Sequence, residues 1–341
     1  MSLKKVKVEE ALGMVLAHDI TEIIPGKKKD VAFRRGKVIE QSDIEKLLDL
    51  GKRHLYAFNK GEAKGVHEEE AGMRIAQAVM GDHMELTSPK EGKVSIKSTV
   101  NGLFYVDEKH LYEVNRIKDI LLSTVPNRYP VKPGNVVAAA KTIPLYIAEK
   151  ELKKVERVAE KGVFSISPFK HLNMGLIITG SEIYDGRIQD GSEAVREKIE
   201  AYGITVVDKK IVTDDIKMIR DAILSQFDGG VDIVLTTAGL SVDPDDVTKE
   251  GIEATGAEVL FYGTPVFPGA MFLVARLKGK YILGAPACVY YNKQTVMDIV
   301  LPRILAGERM HKKDVVKLSY GGHCLFCPVC HYPACFFGKG P

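Results

Sequence analysis

The pattern of apolar and polar positions changes near residue 171. Beyond it, short runs rich in β-branched residues alternate with stretches whose apolar positions recur every three or four residues. MGLIIT (174–179), ITVVDKKIV (204–212), VDIVLTT (231–237), EVLFYG (258–263) and a pair within MFLVARLKGKYILGAP (271–286) are predicted strands. SEAVREKIEAYG (192–203), TDDIKMIRDAILSQF (213–227), a piece near VTKEGIEATG (247–256) and VYYNKQTVMDIVLPRIL (289–305) are predicted helices. Ser192 reads as a cap with Gly203 as a stop, and the next helix is capped around Thr213 or Asp214. Strands alternating with helices of this length predict a doubly wound, three-layer α/β/α unit with a largely parallel sheet.

The first half is mixed and richer in strand. QSDIEKLLDLG (41–51) predicts a short helix with Ser42 or Asp43 as cap, and RHLYAF a strand. HEEEAGMRIAQAVMG predicts a helix, GKVSIKST, GLFYV and NVVAAAKTIPLYI predict strands, and EKELKKVERVAEKG predicts a charged connecting helix. The expected organisation is a mixed segment at 1–60, a β-rich domain at 61–148, a linker helix at 149–170, the α/β unit at 171–312 and a tail at 313–341.

Composition narrows the class. With 45% hydrophobic and 27% charged residues the chain reads as soluble and globular, and its length implies more than one core. A formal charge of +3 without a basic face argues against nucleic acid. No apolar run is long enough to span a membrane and the N-terminus does not read as a signal, so the cytoplasm is expected.

In open α/β sheets ligands bind beyond the carboxyl ends of the strands. Four glycine-bearing loops leave predicted strand ends there: 180–191, 238–247, 263–271 and 284–288. The second carries Asp243, Asp245 and Asp246. An Asp before a helix is ordinarily a cap, but three in four residues exceed that need. At least one is expected to face a ligand or Mg²⁺, best Asp246. Thr236 and Thr237 divide between β-formers and a binding role.

These loops resemble a known domain. GSEIYDGRIQD, TTAGLSVDPDDVT, FPGAMF and LGAP, in that order, resemble the molybdopterin-binding domain of molybdenum-cofactor biosynthesis proteins. That family includes the molybdopterin adenylyltransferase and molybdenumtransferase types, and the same domain opens CinA-type proteins. EALGMVLAHDI resembles the opening of the molybdenumtransferase. The resemblance implies molybdopterin or its adenylate as ligand, with Mg²⁺. It gives Asp190 and Asp246 as catalytic candidates. Its binding candidates are Gly180, Ser181, Glu182, Gly186, Thr236, Thr237, Gly239, Ser241, Asp245, Thr248, Pro268, Gly269 and Pro286. It also implies self-association and a molybdoenzyme or another cofactor-synthesis protein as partner. The departures are specific. Ala238 stands where the family has a glycine, Phe267-Pro268-Gly269-Ala270 replaces Lys-Pro-Gly-Lys, and the Met-Asp-Gly-Tyr-Ala signature is absent. The expected function is therefore a transferase-like enzyme of cofactor synthesis, with a non-catalytic pterin carrier and a CinA-like nucleotide hydrolase as alternatives.

The tail adds separate chemistry. Cys324, Cys327, Cys330 and Cys335 form C-x2-C-x2-C-x4-C, beside His323 and His331. In a cytosolic chain this spacing predicts Zn²⁺ on four thiolates, or on three with a histidine, with an Fe–S cluster as the alternative. HEEEA (67–71) lacks the second histidine of a metalloprotease helix. Lys27-Lys28-Lys29 and Arg34-Arg35 read as a solvated loop, Cys288 as a small filler, and His18 and His171 receive no role.

Overall fold

The computed structural model describes residues 4–24, 28–59 and 65–340. Met1–Leu3 and Lys27 lie outside these. Buried apolar side chains gather in one cluster within residues 8–57, one within 66–166 and two within 174–337.

The first cluster lies under the antiparallel strands Lys4–Lys7, His54–Phe58 and Val15–Leu16 and the helix Gln41–Asp49. That helix starts one residue before the predicted Ser42 or Asp43 cap. Asp43 instead accepts the Glu40 amide at 3.0 Å and pairs with Lys37 at 2.6 Å. The second cluster is wrapped by a four-stranded and a three-stranded antiparallel sheet and by the helices Glu68–Val79, Glu108–Asn115 and Glu149–Val158. Leu152 and Val155 of Glu149–Val158, read as a connecting helix, are buried in this cluster, while Arg74 holds Glu149 and Glu156 at 2.8 and 2.7 Å.

The α/β unit contains β1 (Asn173–Thr179), α1 (Ser192–Glu200), β2 (Thr205–Val212), α2 (Ile216–Asp228), β3 (Ile233–Thr237), α3 (Thr248–Glu253), β4 (Glu258–Tyr262), β5 (Leu273–Leu277), β6 (Lys280–Ala285) and α4 (Val296–Leu305). Sheet order is β2-β1-β3-β6-β5-β4. The first four strands run parallel, but β5 is antiparallel to both β6 and β4. The sheet is thus mixed rather than largely parallel. The reason is local: Lys278 and Gly279, both at positive φ, join β5 to β6 as a tight hairpin.

Side chains alternate across β1 as a strand requires. Leu176 and Ile178 join Val195 and Ile199 of α1 and Val300 and Leu301 of α4. Ile177 joins Ile219 and Ile223 of α2 and Ile252 of α3 on the other face. Helices therefore cover both faces, giving three layers.

Three helix starts differ from expectation. Ser192 is the first helical residue of α1, and Asp190 accepts both its amide and its hydroxyl at 2.8 Å. The cap of α2 is Asp215, which accepts the Met218 amide at 2.7 Å. The single helix predicted over 289–305 is two, Cys288–Tyr291 and α4. Asn292 is extended, and Thr295 restarts the helix with a capping box to Asp298.

The tail does not stand apart. Val315, Leu318 and Phe337 enter the core of the α/β unit, and the Tyr332 hydroxyl donates to the Asp298 carbonyl at 2.8 Å. Lys339 donates to the Pro333 and Cys335 carbonyls and lies over the rings of Tyr332 and Tyr129. No helix among the described residues is long and apolar enough to cross a membrane.

Candidate functional site

Strand pairing puts the ends of β1, β3 and β6 side by side: Ile178 is opposite Thr237, and Thr237 is opposite Ala285. Because Tyr262 pairs with Leu273 and Leu273 with Gly284, the connection from β4 to β5 leaves the same edge. The four loops therefore share one side of the sheet, the carboxyl edge of its parallel strands.

The floor of this edge is a set of hydroxyls. Thr179 Oγ1 donates to the Thr237 carbonyl at 3.0 Å and meets Thr248 Oγ1 at 3.0 Å. Since Thr179 has only one proton, Thr248 is the donor of the second contact. Thr236 donates to the Leu283 carbonyl at 3.3 Å. Thr179, Thr236 and Thr248 are all fully buried, so their hydroxyls hold strands and loop together. Thr237, equally buried, donates to the Ile177 carbonyl at 3.5 Å, and its Oγ1 also lies 2.5 Å from the hydroxyl of half-buried Tyr290 on the short helix after β6. Burial pushes Tyr290 up to about 12 against the opposing Thr237 hydrogen bond, so it is a neutral phenol at pH 7.

Gly180, at φ 146°, ends β1 in a conformation that favours glycine. Ser181 follows, with its amide on Asp214 Oδ2 at 2.8 Å and its hydroxyl 2.6 Å from Thr213 Oγ1. Glu182 and Gly186 are exposed. Asp190 ends this loop in an ion pair with Lys209 at 2.6 Å. Its partial burial raises its pKa, but the bonds from Lys209 and Ser192 outweigh that and hold it below the usual carboxylate range. A groove of about 230 Å³ between α1 and β2 touches this loop only through Ser192 and Lys209, the partners of Asp190. It lies along the body of β2, away from the converging loops.

The acidic loop is anchored at both ends and free between them. Ala238 and Gly239 leave β3 at φ 71° and 60°. Leu240 is buried, its carbonyl receives the Tyr262 hydroxyl at 2.8 Å, and the Thr248 amide returns to the Gly239 carbonyl at 3.0 Å. Ser241 and Asp245 are exposed, as is Val242 at 88%. The aspartates do not cap α3, whose first residue follows Val247 without a side-chain cap. They shape the loop instead: Asp246 Oδ2 accepts the Ser241 amide at 2.7 Å, and Asp243 accepts the Asp245 amide at 3.0 Å. The capping expectation is thus overturned by short-range bonds within the loop. Pro268 and Gly269 are buried, with the Pro268 carbonyl on the Val296 amide, and Pro286 is half-buried.

Asp214, Lys209 and Tyr290 were absent from the sequence candidates. Asp214 carried a signal, an acid two residues beyond a predicted strand end. Tyr290 was hidden inside what read as a continuous helix.

The tail reaches this edge. The Phe267 amide donates to the Gly322 carbonyl and the Cys324 amide to the Phe267 carbonyl, both at 2.8 Å, and His323 lies against the Phe267 ring. Its cysteines are not gathered. Cys324 and Cys335 pack against the core, Cys327 and Cys330 are exposed, and no three metal-ligating side chains come together among the described residues. The zinc or Fe–S set read from the spacing is not formed here, because apolar packing of Tyr332 and Phe337 fixes one end of the segment while 325–330 projects outward.

Residues 5–59 match a family described only as a domain of unknown function (DUF8806), and residues 175–306 match one described as a probable molybdopterin binding domain. The molybdopterin molybdenumtransferase of Haemophilus influenzae is 24% identical over 322 residues, 90% of this chain and 74% of that protein. That of Staphylococcus aureus is 32% identical over 139 residues, so the match spans 37% of this chain and 32% of the relative. A CinA-like protein of Frankia casuarinae is 39% identical over 80 residues, 23% of this chain and 18% of its own. Among solved structures, the molybdopterin biosynthesis Mog protein of Mycobacterium ulcerans covers 40% of this chain and 98% of itself at 17% identity, with a TM-score of 0.33. Over residues 175–306 the α/β unit thus carries the probable molybdopterin binding domain, with molybdopterin molybdenumtransferases and a CinA-like protein among its relatives.

Proposed function

We propose that the carboxyl edge of the α/β unit binds molybdopterin or its adenylate. The observation that carries this reading is the convergence of the Ser181, Thr237–Tyr290 and Asp246 loops on one side of a sheet whose sequence matches that family. Hydroxyls and amides at the strand ends suit a phosphate and the edge of a pterin ring, and the exposed acids suit amino groups or Mg²⁺. Asp246 faces the ligand. Asp190, already held by Lys209 and Ser192, acts by fixing the loop before α1.

Within cofactor biosynthesis, a molybdenumtransferase-like or adenylyltransferase-like step would rest on positioning and electrostatic stabilisation of developing charge. One feature favours a non-catalytic carrier or insertion accessory. The loop that would carry two lysines holds Phe267 and Ala270, and its backbone is bonded to the tail. Fixed cations that would stabilise an oxyanion are thus missing from it. A molybdoenzyme or another cofactor-synthesis protein is the partner this role implies, and self-association is expected.

Incubation with molybdopterin, ATP–Mg²⁺ and molybdate separates the readings. Adenylate formation, or AMP released only with molybdate, marks an enzyme. Tight binding without turnover marks a carrier. Hydrolysis of ADP-ribose points to the CinA-like activity, and failure to bind molybdopterin overturns the proposal.

A further inference from the structure

Two histidines lie where residues 4–59 pack on residues 65–168, near enough for the charge of His18 to act on His67. His18 follows the strand Val15–Leu16, and His67 precedes the helix Glu68–Val79. His67 is only 7% exposed. Its Nδ1 accepts the Glu69 amide at 3.3 Å, and its Nε2 is buried without a partner. Nδ1 of His18 is also buried and unpartnered. Their surroundings are aromatic: Tyr146 stands edge-on to His67 at 5.2 Å between centroids, and Tyr56 to His18 at 6.0 Å. The contacts that cross this junction include Phe58 on Tyr146 at 6.0 Å and Arg35 with Glu69 at 3.5 Å. An ordinary core histidine has both nitrogens satisfied. Two orphaned ring nitrogens at one boundary need another account.

We propose that His18 and His67 form an acid-released latch: as neutral rings they seal residues 4–59 onto residues 65–168, and protonation of either ring opens that junction. Because Nδ1 of His67 accepts the Glu69 amide, the neutral ring carries its hydrogen on the orphaned Nε2, so a second proton must go on Nδ1. That displaces the amide and leaves a buried cation whose Nε2–H has no acceptor, which burial penalises heavily. The surrounding charges set the balance. His67 faces Arg35 and His18, which oppose its proton, and Asp19 and Glu69, which favour it. His18 faces Lys52, which opposes, and Asp19 and Glu68, which favour; Glu68 is shared with Lys141 at 3.2 Å. Burial is the largest influence on both rings and outweighs the carboxylates. It lowers His18 and brings His67 down to about 4.

The sign follows from linkage. Both folded values lie below the ordinary 6.5, so closure is fully present above that pH and is lost as pH falls from 6.5 toward 4. For His67 alone, the closed-to-open ratio falls about thirtyfold between pH 7.5 and 5.

The chain has no tryptophan, so Phe58→Trp in the full-length protein places a single reporter at the junction. Its emission is expected to shift toward that of exposed indole between pH 6.5 and 4, with far-UV circular dichroism unchanged. His18→Gln/His67→Gln in the same background is expected to abolish the shift. Arg35→Gln retains the histidines but removes a cation that opposes protonation of His67. It is expected to weaken the shift even if the double variant folds poorly. Identical emission at pH 7.5 and 5, or a full shift in the double variant, overturns the latch. So does Zn²⁺ that raises the Tm of the wild type but not of the double variant, since the orphaned nitrogens are then metal ligands.

Discussion

The hydroxyls of Thr237 and Tyr290 meet at 2.5 Å, joining the end of β3 to the short helix after β6 across the floor of the candidate cleft. Tyr290→Phe removes this bond without opening a cavity, so a loss of about 1 kcal/mol in denaturant unfolding is expected. Burial of the phenol also carries a pH signature. The folded pKa of Tyr290, about 12, exceeds the ordinary 10, so its contribution is intact below pH 10 and is lost as pH rises toward 12. The difference in stability between wild type and Tyr290→Phe should therefore narrow above pH 10. An unchanged difference there would remove Tyr290 from the account.

Asp246 has two separable properties, a negative charge and an oxygen that closes the loop on the Ser241 amide at 2.7 Å. Asp246→Asn retains an acceptor and removes the charge, whereas Asp246→Ala removes both. If the charge faces the ligand or its Mg²⁺, both variants weaken molybdopterin binding about tenfold or more in calorimetric titration, which is at least 1.4 kcal/mol. Their Tm should move by only a degree or two, because the loop between Ser241 and Asp245 is exposed. Wild-type affinity in Asp246→Asn would mean that the carboxylate only shapes the loop.

Much of this architecture could be read from the chain. Alternation of five-residue apolar runs with 3.6-period stretches located β1, β3, α1 and α2, and the four loops read as leaving strand ends do share one sheet edge. What escaped was decided by contacts distant in sequence or by short-range competition. The antiparallel β5 depends on a hairpin whose turn residues, Lys278 and Gly279, look ordinary in the sequence. The break between Tyr291 and Thr295 came from a Thr295–Asp298 capping box inside an otherwise helical pattern. The tail's four cysteines suggested a metal, whereas Tyr332 and Phe337, unremarked in the sequence, anchor that segment in the core.

Gly239 sits at φ 60°, and a Cβ there would lie 2.2 Å from Thr248 Oγ1 and 2.9 Å from Thr179 Oγ1. Left-handed backbone costs a non-glycine residue about 1–2 kcal/mol, and overpacking adds about 1–3. Gly239→Ala is thus expected to destabilise the protein by about 2–5 kcal/mol in urea unfolding and to abolish ligand binding with it. Its neighbour is the internal control. Ala238 already pays the left-handed cost at φ 71°, so Ala238→Gly relieves strain while loosening the unfolded chain, and its net change should stay within about 1 kcal/mol. Equal effects at the two positions would mean that the hydroxyls beneath Gly239 yield.

The tail offers a test of what holds it. Phe337 is 2% exposed within the core of the α/β unit, and Tyr332 is bonded to the Asp298 carbonyl. Phe337→Ala should therefore cost about 3 kcal/mol or more, the usual loss for a buried aromatic ring. Cys327 and Cys330 are exposed, so Cys327→Ser/Cys330→Ser should leave the unfolding midpoint unchanged. Chelation with EDTA should leave it unchanged too, since packing rather than ligation fixes the segment. A domain folded around structural zinc behaves oppositely, because its metal-binding energy is folding energy. A fall of several degrees in Tm on chelation, matched by the double serine variant, would show that the thiolates draw together around a metal in solution.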